Sequence, residues 1–189
     1  MTTKEIEELL DAGVETQRIE FKESVQWSVE IFAKDILALS NVQDGGFIII
    51  GVAEDTNGNF ERKGIKPEHK GSYKLDIMRD QMAAFADPHV NFIVEVSIDK
   101  NGLEYIVIKI FQFEEIPVIC SKESKDTKKS IIYYRNKNRR IESAPISNNY
   151  DMRTIIELAT VRMMQKKSEI GYTVKESDKK RLDDELGNL

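Results

Sequence analysis

The run Phe47-Ile48-Ile49-Ile50-Gly51-Val52 constrains the fold of this chain more than any other feature. A strand with one side in solvent alternates apolar and polar residues, whereas this run is apolar on both of its faces. It is also strand-sized, far shorter than a membrane-spanning helix. The sequence therefore predicts a central strand of a sheet that is covered by other elements on both sides.

The remaining chain predicts an α+β fold. Hydrophobic periodicity predicts helices over 4–11, 28–40, 73–86 and 151–166, and strands over 18–22 and 130–135. The alternating runs 90–98 and 103–111 flank an Asn101-Gly102 turn, which is a strong hairpin signal. We expect one domain over residues 1–165, with a mixed, mostly antiparallel sheet packed with three to four helices. Residues 166–189 are predicted to form a charged tail, or a helix that needs a partner.

Composition excludes several classes of protein. No apolar run is long enough to cross a membrane, and the acidic N-terminus has no apolar signal segment, which predicts a cytoplasmic protein without a membrane partner. Cys120 is the single cysteine, which excludes an internal disulfide and a cysteine-based zinc site. Only two histidines are present, which argues against a histidine-rich metal site.

Two groups of acidic residues are candidates for a functional site. Glu15 and Glu20 are five residues apart, and neither a continuous strand nor a helix brings them together. They share a site only if the chain bends near residue 16; otherwise Glu15 is a surface acid and Glu20 forms an exposed ion pair with Lys22. Glu54 and Asp55 follow the apolar strand, and carboxylates at strand ends can hold a hard divalent cation.

A basic segment stands out in a chain whose net charge is −5. Residues 122–140 carry eight basic and two acidic side chains, which sum to +6. Cations beside aromatic rings can bind phosphate and stack bases. Strand alternation at Tyr133-Tyr134 predicts that one ring is buried and the other exposed. The candidate nucleic-acid-binding residues are Tyr134, Arg135, Lys137, Arg139 and Arg140. The alternative is an ordinary solvated loop.

Together, these motifs resemble the Schlafen AlbA_2 domain over residues 15–158. The matching pieces are Glu15-x4-Glu20-Phe21-Lys22, Ala38-Leu39-Ser40-Asn41 before Gly45-Gly46, Ile50-Gly51-Val52 before Glu54-Asp55, Ile116-Pro117-Val118, and Tyr133-Tyr134-Arg135. Two features depart from the family pattern. The gap from Asn41 to the glycine pair is one residue longer than usual, and the acid after Ile-Gly-Val, usually aspartate, is Glu54 or Asp55 here.

The resemblance implies a nucleic-acid partner, RNA more than DNA. Relatives in animals are endoribonucleases that cut tRNA or other structured RNA with three carboxylates and a divalent metal. Carried over, the catalytic and metal-binding set is Glu15, Glu20 and either Glu54 or Asp55, with Mg²⁺ or Mn²⁺ bound and Lys22 holding the scissile phosphate. Because two such lobes surround RNA in animal Schlafens, a single-lobe chain is expected to form a homodimer.

The sequence leaves open whether the chain is an enzyme. The alternatives are a non-catalytic DNA-binding regulator, or an ATP-binding or interaction subunit that docks on a larger protein through residues 166–189. The chain has no Gly-x4-Gly-Lys-Ser/Thr phosphate loop, which removes support for ATP binding. Gly45-Gly46 precedes a strand and is interpreted as a tight turn that requires positive φ.

Overall fold

The computed structural model describes residues 1–11, 13–136 and 141–171. Its helices are α1 (Thr3–Asp11), α2 (Val29–Ser40), α3 (Pro67–Lys70), α4 (Leu75–Ala83) and α5 (Asn149–Glu169). Its strands are β1 (Ile19–Lys22), β2 (Gly46–Ile50), β3 (Val52–Glu54), β4 (Phe60–Arg62), β5 (Ala86–Asp87), β6 (Phe92–Ile98), β7 (Glu104–Ile110), β8 (Ile119–Cys120), β9 (Tyr133–Arg135) and β10 (Ser143–Pro145). No helix within these residues is long and apolar enough to cross a membrane.

The apolar run forms the centre of the main sheet. The strand order is β1-β2-β7-β6, with β1 parallel to β2 and the other pairs antiparallel. β6 and β7 form the predicted hairpin, and the Asp99 carboxylate accepts hydrogen bonds from the backbone N–H groups of Asn101 and Leu103 in its turn. The α+β fold class and the central position of the apolar strand are confirmed.

Both faces of this sheet are covered, which explains why the central strand is apolar throughout. On one face, Phe32 and Ile36 of α2 belong to the same buried cluster as Ile48 of β2. On the other face, Ile6 of α1 belongs to a second cluster with Ile49. Alternate residues of β2 therefore enter two different cores, as the period of a strand requires.

The chain departs from the prediction where the apolar run ends. The predicted strand continued to Val52, but the backbone of Gly51 has φ of 119°, and β3 leaves the main sheet to pair with β4. A Cβ atom on Gly51 would lie 2.7 Å from the carbonyl carbon of Gly64, so the close approach of the two segments requires glycine. The polar segment 56–71 that follows contains β4 and the one-turn helix α3.

The Asn41 motif is a structural cross-link. Asn41 is fully buried, and its Nδ2 donates to the carbonyl oxygens of Leu37, Val118 and Tyr133. Its Oδ1 accepts from the backbone N–H of Val118 at 2.8 Å. Gly45, in the turn that follows, has φ of 67°, which confirms the tight-turn interpretation. This motif therefore holds the end of α2 against β9 and the segment before β8.

Candidate functional site

A tight bend brings Glu15 to Glu20. Backbone hydrogen bonds join Thr16 and Ile19 in both directions, at 3.1 and 3.2 Å. The bend turns Glu15 back along β1, where its Oε1 accepts from the backbone N–H of Phe21 at 3.0 Å. The structure therefore contains the bend that a shared site requires, and Glu15 is only partly exposed.

Two cations hold the buried carboxylate of Glu20. Lys22 Nζ lies 2.5 Å from Glu20 Oε1 and 2.9 Å from Asp35 Oδ2. Arg135 Nη1 donates to the other oxygen of Glu20. The Arg135 guanidinium also donates from Nη2 to the carbonyl oxygens of Thr16 and Ile19, at 3.0 and 3.1 Å. The Glu20–Lys22 pair is thus part of a buried network and is not an isolated surface contact.

The network separates the protonation behaviour of the two glutamates. Burial and the neighbouring charge of Glu20 raise the pKa of Glu15 to about 7. Burial alone would raise the pKa of Glu20, but Lys22 and Arg135 outweigh it and lower that pKa. Burial would lower the pKa of Lys22, but Asp35 and Glu20 outweigh it and raise that pKa. Near neutral pH, Glu20 and Lys22 are charged and Glu15 exchanges a proton.

These groups line one open cleft of about 580 Å³, which we call the acidic cleft. Among the residues that the structure describes, its charged lining consists of seven acidic and two basic side chains: Glu15, Glu20, Glu23, Asp35, Glu54, Asp126 and Glu142, with Lys22 and Lys34. Such a surplus of carboxylates repels phosphate unless a cation is present.

Of the two acids after the apolar run, Glu54 lines the acidic cleft. Asp55 is held in its own turn, where Oδ1 accepts from the backbone N–H groups of Asn57 and Asn59, both at 2.8 Å. Its Oδ2 accepts from the side chain of Asn59 at 3.1 Å. By position, Glu54 is the third acid of the cleft, and Asp55 stabilises the loop between β3 and β4.

Sequence reasoning missed Asp35, which is buried beside Lys22. A signal was available, because Asp35 is three residues after Phe32 and directly precedes Ile36, so it lies on the apolar face of α2. An acid at such a position requires a cationic partner, because an unpaired buried charge is costly.

The carboxylates of the cleft do not form a ready metal site. Among residues 1–11, 13–136 and 141–171, no three histidine, cysteine, aspartate or glutamate side chains are grouped so that they could hold a metal ion. Both oxygens of Glu20 are bound by Lys22 and Arg135. This arrangement does not fit a resident Mg²⁺ or Mn²⁺. Metal binding stays a prediction.

The predicted stacking surface requires a correction. Tyr133 and Tyr134 are 2% and 5% exposed, so the expectation that one ring faces solvent is wrong. Tyr134 packs against Val42 and Ile155, because β9 is covered on both sides, and Gln17 donates to its hydroxyl at 3.0 Å. Arg135 is 0% exposed. Neither Tyr134 nor Arg135 can therefore contact nucleic acid in this arrangement. Lys137, Arg139 and Arg140 lie outside the described residues.

The described part of the basic segment carries four exposed lysines. Lys122, Lys125, Lys128 and Lys129 are exposed, and we call them the lysine strip. Asp126, which lies between them in sequence, lines the acidic cleft. The segment that carries the lysine strip therefore reaches the cleft at Asp126.

The fold and this site define an α+β domain with a buried, ion-paired acidic centre. The family model "Schlafen, AlbA_2" matches residues 15–144, more than half of the chain, and the chain therefore belongs to the Schlafen AlbA_2 family. This confirms the resemblance seen in the sequence. No curated protein is similar enough in sequence to count as a relative.

Two solved structures are similar in fold. The N-terminal domain of a DNA helicase RecG-related protein from Nitrosomonas europaea is 16% identical with a TM-score of 0.51, covering 79% of this chain and 97% of that domain. The DIP2311 protein from Corynebacterium diphtheriae is 15% identical with a TM-score of 0.46, and the match covers 76% of this chain. This chain spans only 26% of the DIP2311 chain.

The predicted domain boundary at residue 165 falls within α5, which continues to Glu169. Most of the predicted tail, residues 172–189, lies outside the described part of the chain.

Proposed function

We propose that this chain binds nucleic acid, RNA in preference to DNA, along the lysine strip and across the mouth of the acidic cleft. The observation that carries the proposal is the set of four exposed lysines in the segment whose Asp126 lines the cleft. Membership of the Schlafen AlbA_2 family supports nucleic acid as the class of partner. Lysines that contact phosphates supply most of the affinity of such complexes.

The charge distribution supports an orientation for the bound strand. The acidic cleft repels the phosphate backbone, while the neighbouring lysine strip attracts it, so the backbone follows the lysines. Within the cleft, Lys22 is held between Glu20 and Asp35 and is one-quarter exposed. Its ammonium group is therefore positioned to receive one phosphate without leaving its partners.

Reversing two charges of the lysine strip, Lys125→Glu with Lys129→Glu, is expected to weaken RNA binding about tenfold or more at low salt, which is about 1.4 kcal/mol. Each lost phosphate contact to a single strand lowers the slope of log K against log [salt] by about 0.7, so the slope should fall by about 1.4. Fluorescence anisotropy with labelled single-stranded RNA over a salt series measures both quantities.

The matched control reverses Lys4 and Lys74, which are exposed and do not line the cleft. It should retain the wild-type affinity within about threefold, a difference under about 0.7 kcal/mol. Equal losses in both double variants, or an unchanged salt slope in the strip variant, would reject the lysine strip as the interface. Tighter binding of DNA than of RNA of the same sequence would favour the DNA-binding regulator.

Cleavage of tRNA or other structured RNA is a second, finer proposal. The proximity of Glu15 to Glu20, with Lys22 alongside, favours it, because a carboxylate can act as a general base and a cation can stabilise the charge that develops on the scissile phosphate. To test for cleavage, the protein is incubated with the RNA of the binding experiment in the presence of Mg²⁺ or Mn²⁺. Gel electrophoresis of the recovered RNA then shows whether it was cut. RNA that stays intact with either metal would reject the cleavage proposal and leave RNA binding as the function of the chain.

We also propose that the homodimer forms along α5. Met152, Ile156 and Met163 are exposed and lie on one stripe of the helix, spaced by four and seven residues. Ile170, which follows the last residue of α5, is also exposed. Ile156→Glu is expected to convert a dimer into a monomer in sedimentation velocity, because it places a charge in the centre of the stripe. Val161→Glu, on another face of α5, should leave the dimer intact. A wild-type chain that sediments as a monomer would contradict the proposal and favour a larger protein partner.

A further inference from the structure

The main sheet has two edge strands, and side chains close one of them. Along β1, the carboxylate of Glu15 accepts from the backbone N–H of Phe21, and Arg135 donates to the carbonyl oxygen of Ile19. At the other end of the strand order, β6 pairs with β7 alone among the described strands. We call the side of β6 that faces away from β7 the open edge.

The hydrogen-bond pattern shows which groups face the open edge. The backbone N–H of Asp99 donates to the carbonyl oxygen of Leu103, and that of Phe111 donates to the carbonyl oxygen of Asn91. Because every second residue of an antiparallel strand bonds the neighbouring strand, the odd-numbered residues of β6 face β7. The even-numbered residues therefore direct their N–H and C=O groups towards the open edge. These residues are Phe92, Val94, Val96 and Ile98.

Within the described residues, hydrogen bonds cover only the beginning of the open edge. Arg79 of α4 donates to the carbonyl oxygen of Phe92 at 3.1 Å. Further along, Val96 and Ile98 are 46% and 48% exposed. Bulges, lysines and prolines commonly keep an exposed edge from pairing, but β6 pairs with β7 over seven consecutive residues and contains no lysine or proline. The open edge can therefore accept another strand.

The apolar residues of β6 suit a second copy of the same strand. If two copies pair antiparallel with Val96 opposite Val96, Val94 of each copy lies opposite Ile98 of the other. All three cross-strand pairs then join β-branched apolar side chains on one face of the sheet. Such pairs are a main source of stability between neighbouring strands.

The charged residues favour the same register. When the pairing is centred on Val96, Glu95 lies opposite Ser97. Sliding one strand by two residues places Glu95 opposite the second Glu95 in one direction and opposite Asp99 in the other. Like charges directly opposite each other are destabilising, so the centred register is preferred over both neighbours.

We propose that the open edge pairs with the open edge of a second copy of this chain, antiparallel and centred on Val96, so that two four-stranded sheets become one continuous sheet. The contact is separate from α5 and from the acidic cleft, and it does not depend on nucleic-acid binding. Two short strands bury less surface than the roughly 1,200–2,000 Å² of a stable complex, so we expect a dissociation constant of about 0.1 mM. If the chain also dimerises along α5, the open edge joins these dimers at high concentration.

The test uses the ¹⁵N-labelled full chain with Ile156→Glu, which removes the proposed α5 contact. Amide hydrogen exchange is measured by NMR at about 0.02 mM and about 1 mM protein, on either side of the expected dissociation constant. The even-numbered amides of residues 94–98 should exchange at least about threefold more slowly at the higher concentration, because pairing gives them acceptors. The odd-numbered amides of the same strand already face β7 and should keep their rates.

A charge exchange at Val96 tests the register. In the same Ile156→Glu background, Val96→Lys alone and Val96→Glu alone should each abolish the concentration dependence, because like charges then meet at the centre of the contact. An equimolar mixture of the two variants should restore the slower exchange, because lysine then lies opposite glutamate. The matched control introduces the same two charges at Ile77 of α4, which is 47% exposed and is not part of the open edge. Its exchange should match that of the Ile156→Glu chain in every sample.

The exchange pattern decides between strand pairing and other contacts. The proposal is overturned if neither set of amides slows with concentration, or if both sets slow to the same extent. It is also overturned if the mixture does not restore the slower exchange, or if the Val96→Lys chain alone pairs as well as the chain with Val96.

Discussion

Arg135→Ala is expected to destabilise the protein by about 3–5 kcal/mol, because it removes one partner of a buried ion pair. The guanidinium is fully buried and bonds Glu20 and the carbonyl oxygens of Thr16 and Ile19. Without it, one oxygen of Glu20 loses its donor, and each of the two carbonyl oxygens keeps only the backbone N–H that closes the bend. The bend that places Glu15 beside Glu20 loses the same support, so stability and the geometry of the acidic cleft should be lost together.

Urea unfolding, followed by Trp27 fluorescence and far-ultraviolet circular dichroism, measures the loss. Arg153→Ala is the matched control, because Arg153 forms an exposed pair with Glu157 one helical turn away. Such pairs contribute about 0.3–0.5 kcal/mol. A loss below about 1 kcal/mol for Arg135→Ala would contradict the buried network, since unpaired buried charges cost several times more.

The double variant Glu20→Gln with Arg135→Met separates the charge from the packing. It removes both charges together, so it should recover part of the stability that Arg135→Ala loses. Arg135→Lys should not recover it, because a lysine cannot reach the carboxylate and two carbonyls with a planar set of donors.

The central strand and the hairpin could be predicted because their signals are local. A run that is apolar on both faces needs cover on both, and an Asn-Gly turn between alternating runs joins neighbouring strands. The end of the central strand was harder to predict. The chain changes direction at Gly51 because Gly51 closely approaches Gly64, thirteen residues later. Periodicity within one segment does not contain such a contact.

The site was predicted only in part, because it also depends on contacts between residues that are far apart in the sequence. Glu15 can approach Glu20 only if the chain bends near residue 16. This requirement follows from the sequence, but the sequence does not show whether the bend forms. Arg135 contacts Glu20 across 115 residues, and a cation in a basic segment is expected at the surface unless its buried partner is known.

Glu15→Gln is expected to stabilise the protein at high pH, because Glu15 pays an electrostatic penalty in the fold. The pKa of Glu15 is raised from its ordinary value of 4.5 to about 7 by burial and by Glu20. The folded state therefore holds this proton more tightly than the unfolded chain. The stabilisation from the protonated form is complete below pH 4.5 and is lost as the pH rises through about 7.

The expected gain for Glu15→Gln at pH 8 is about 1–2 kcal/mol, less than the full linkage value because solvent reaches the partly exposed carboxylate. The glutamine keeps an oxygen that can accept from the backbone N–H of Phe21. Urea unfolding at pH 4 and pH 8 measures the difference, with the exposed Glu68→Gln as the control. Equal effects of Glu15→Gln on the free energy of unfolding at both pH values would contradict the link between stability and the protonation of Glu15. A gain at pH 8 alone would mean that the cleft retains two adjacent carboxylates at a cost in stability, as expected of residues kept for function.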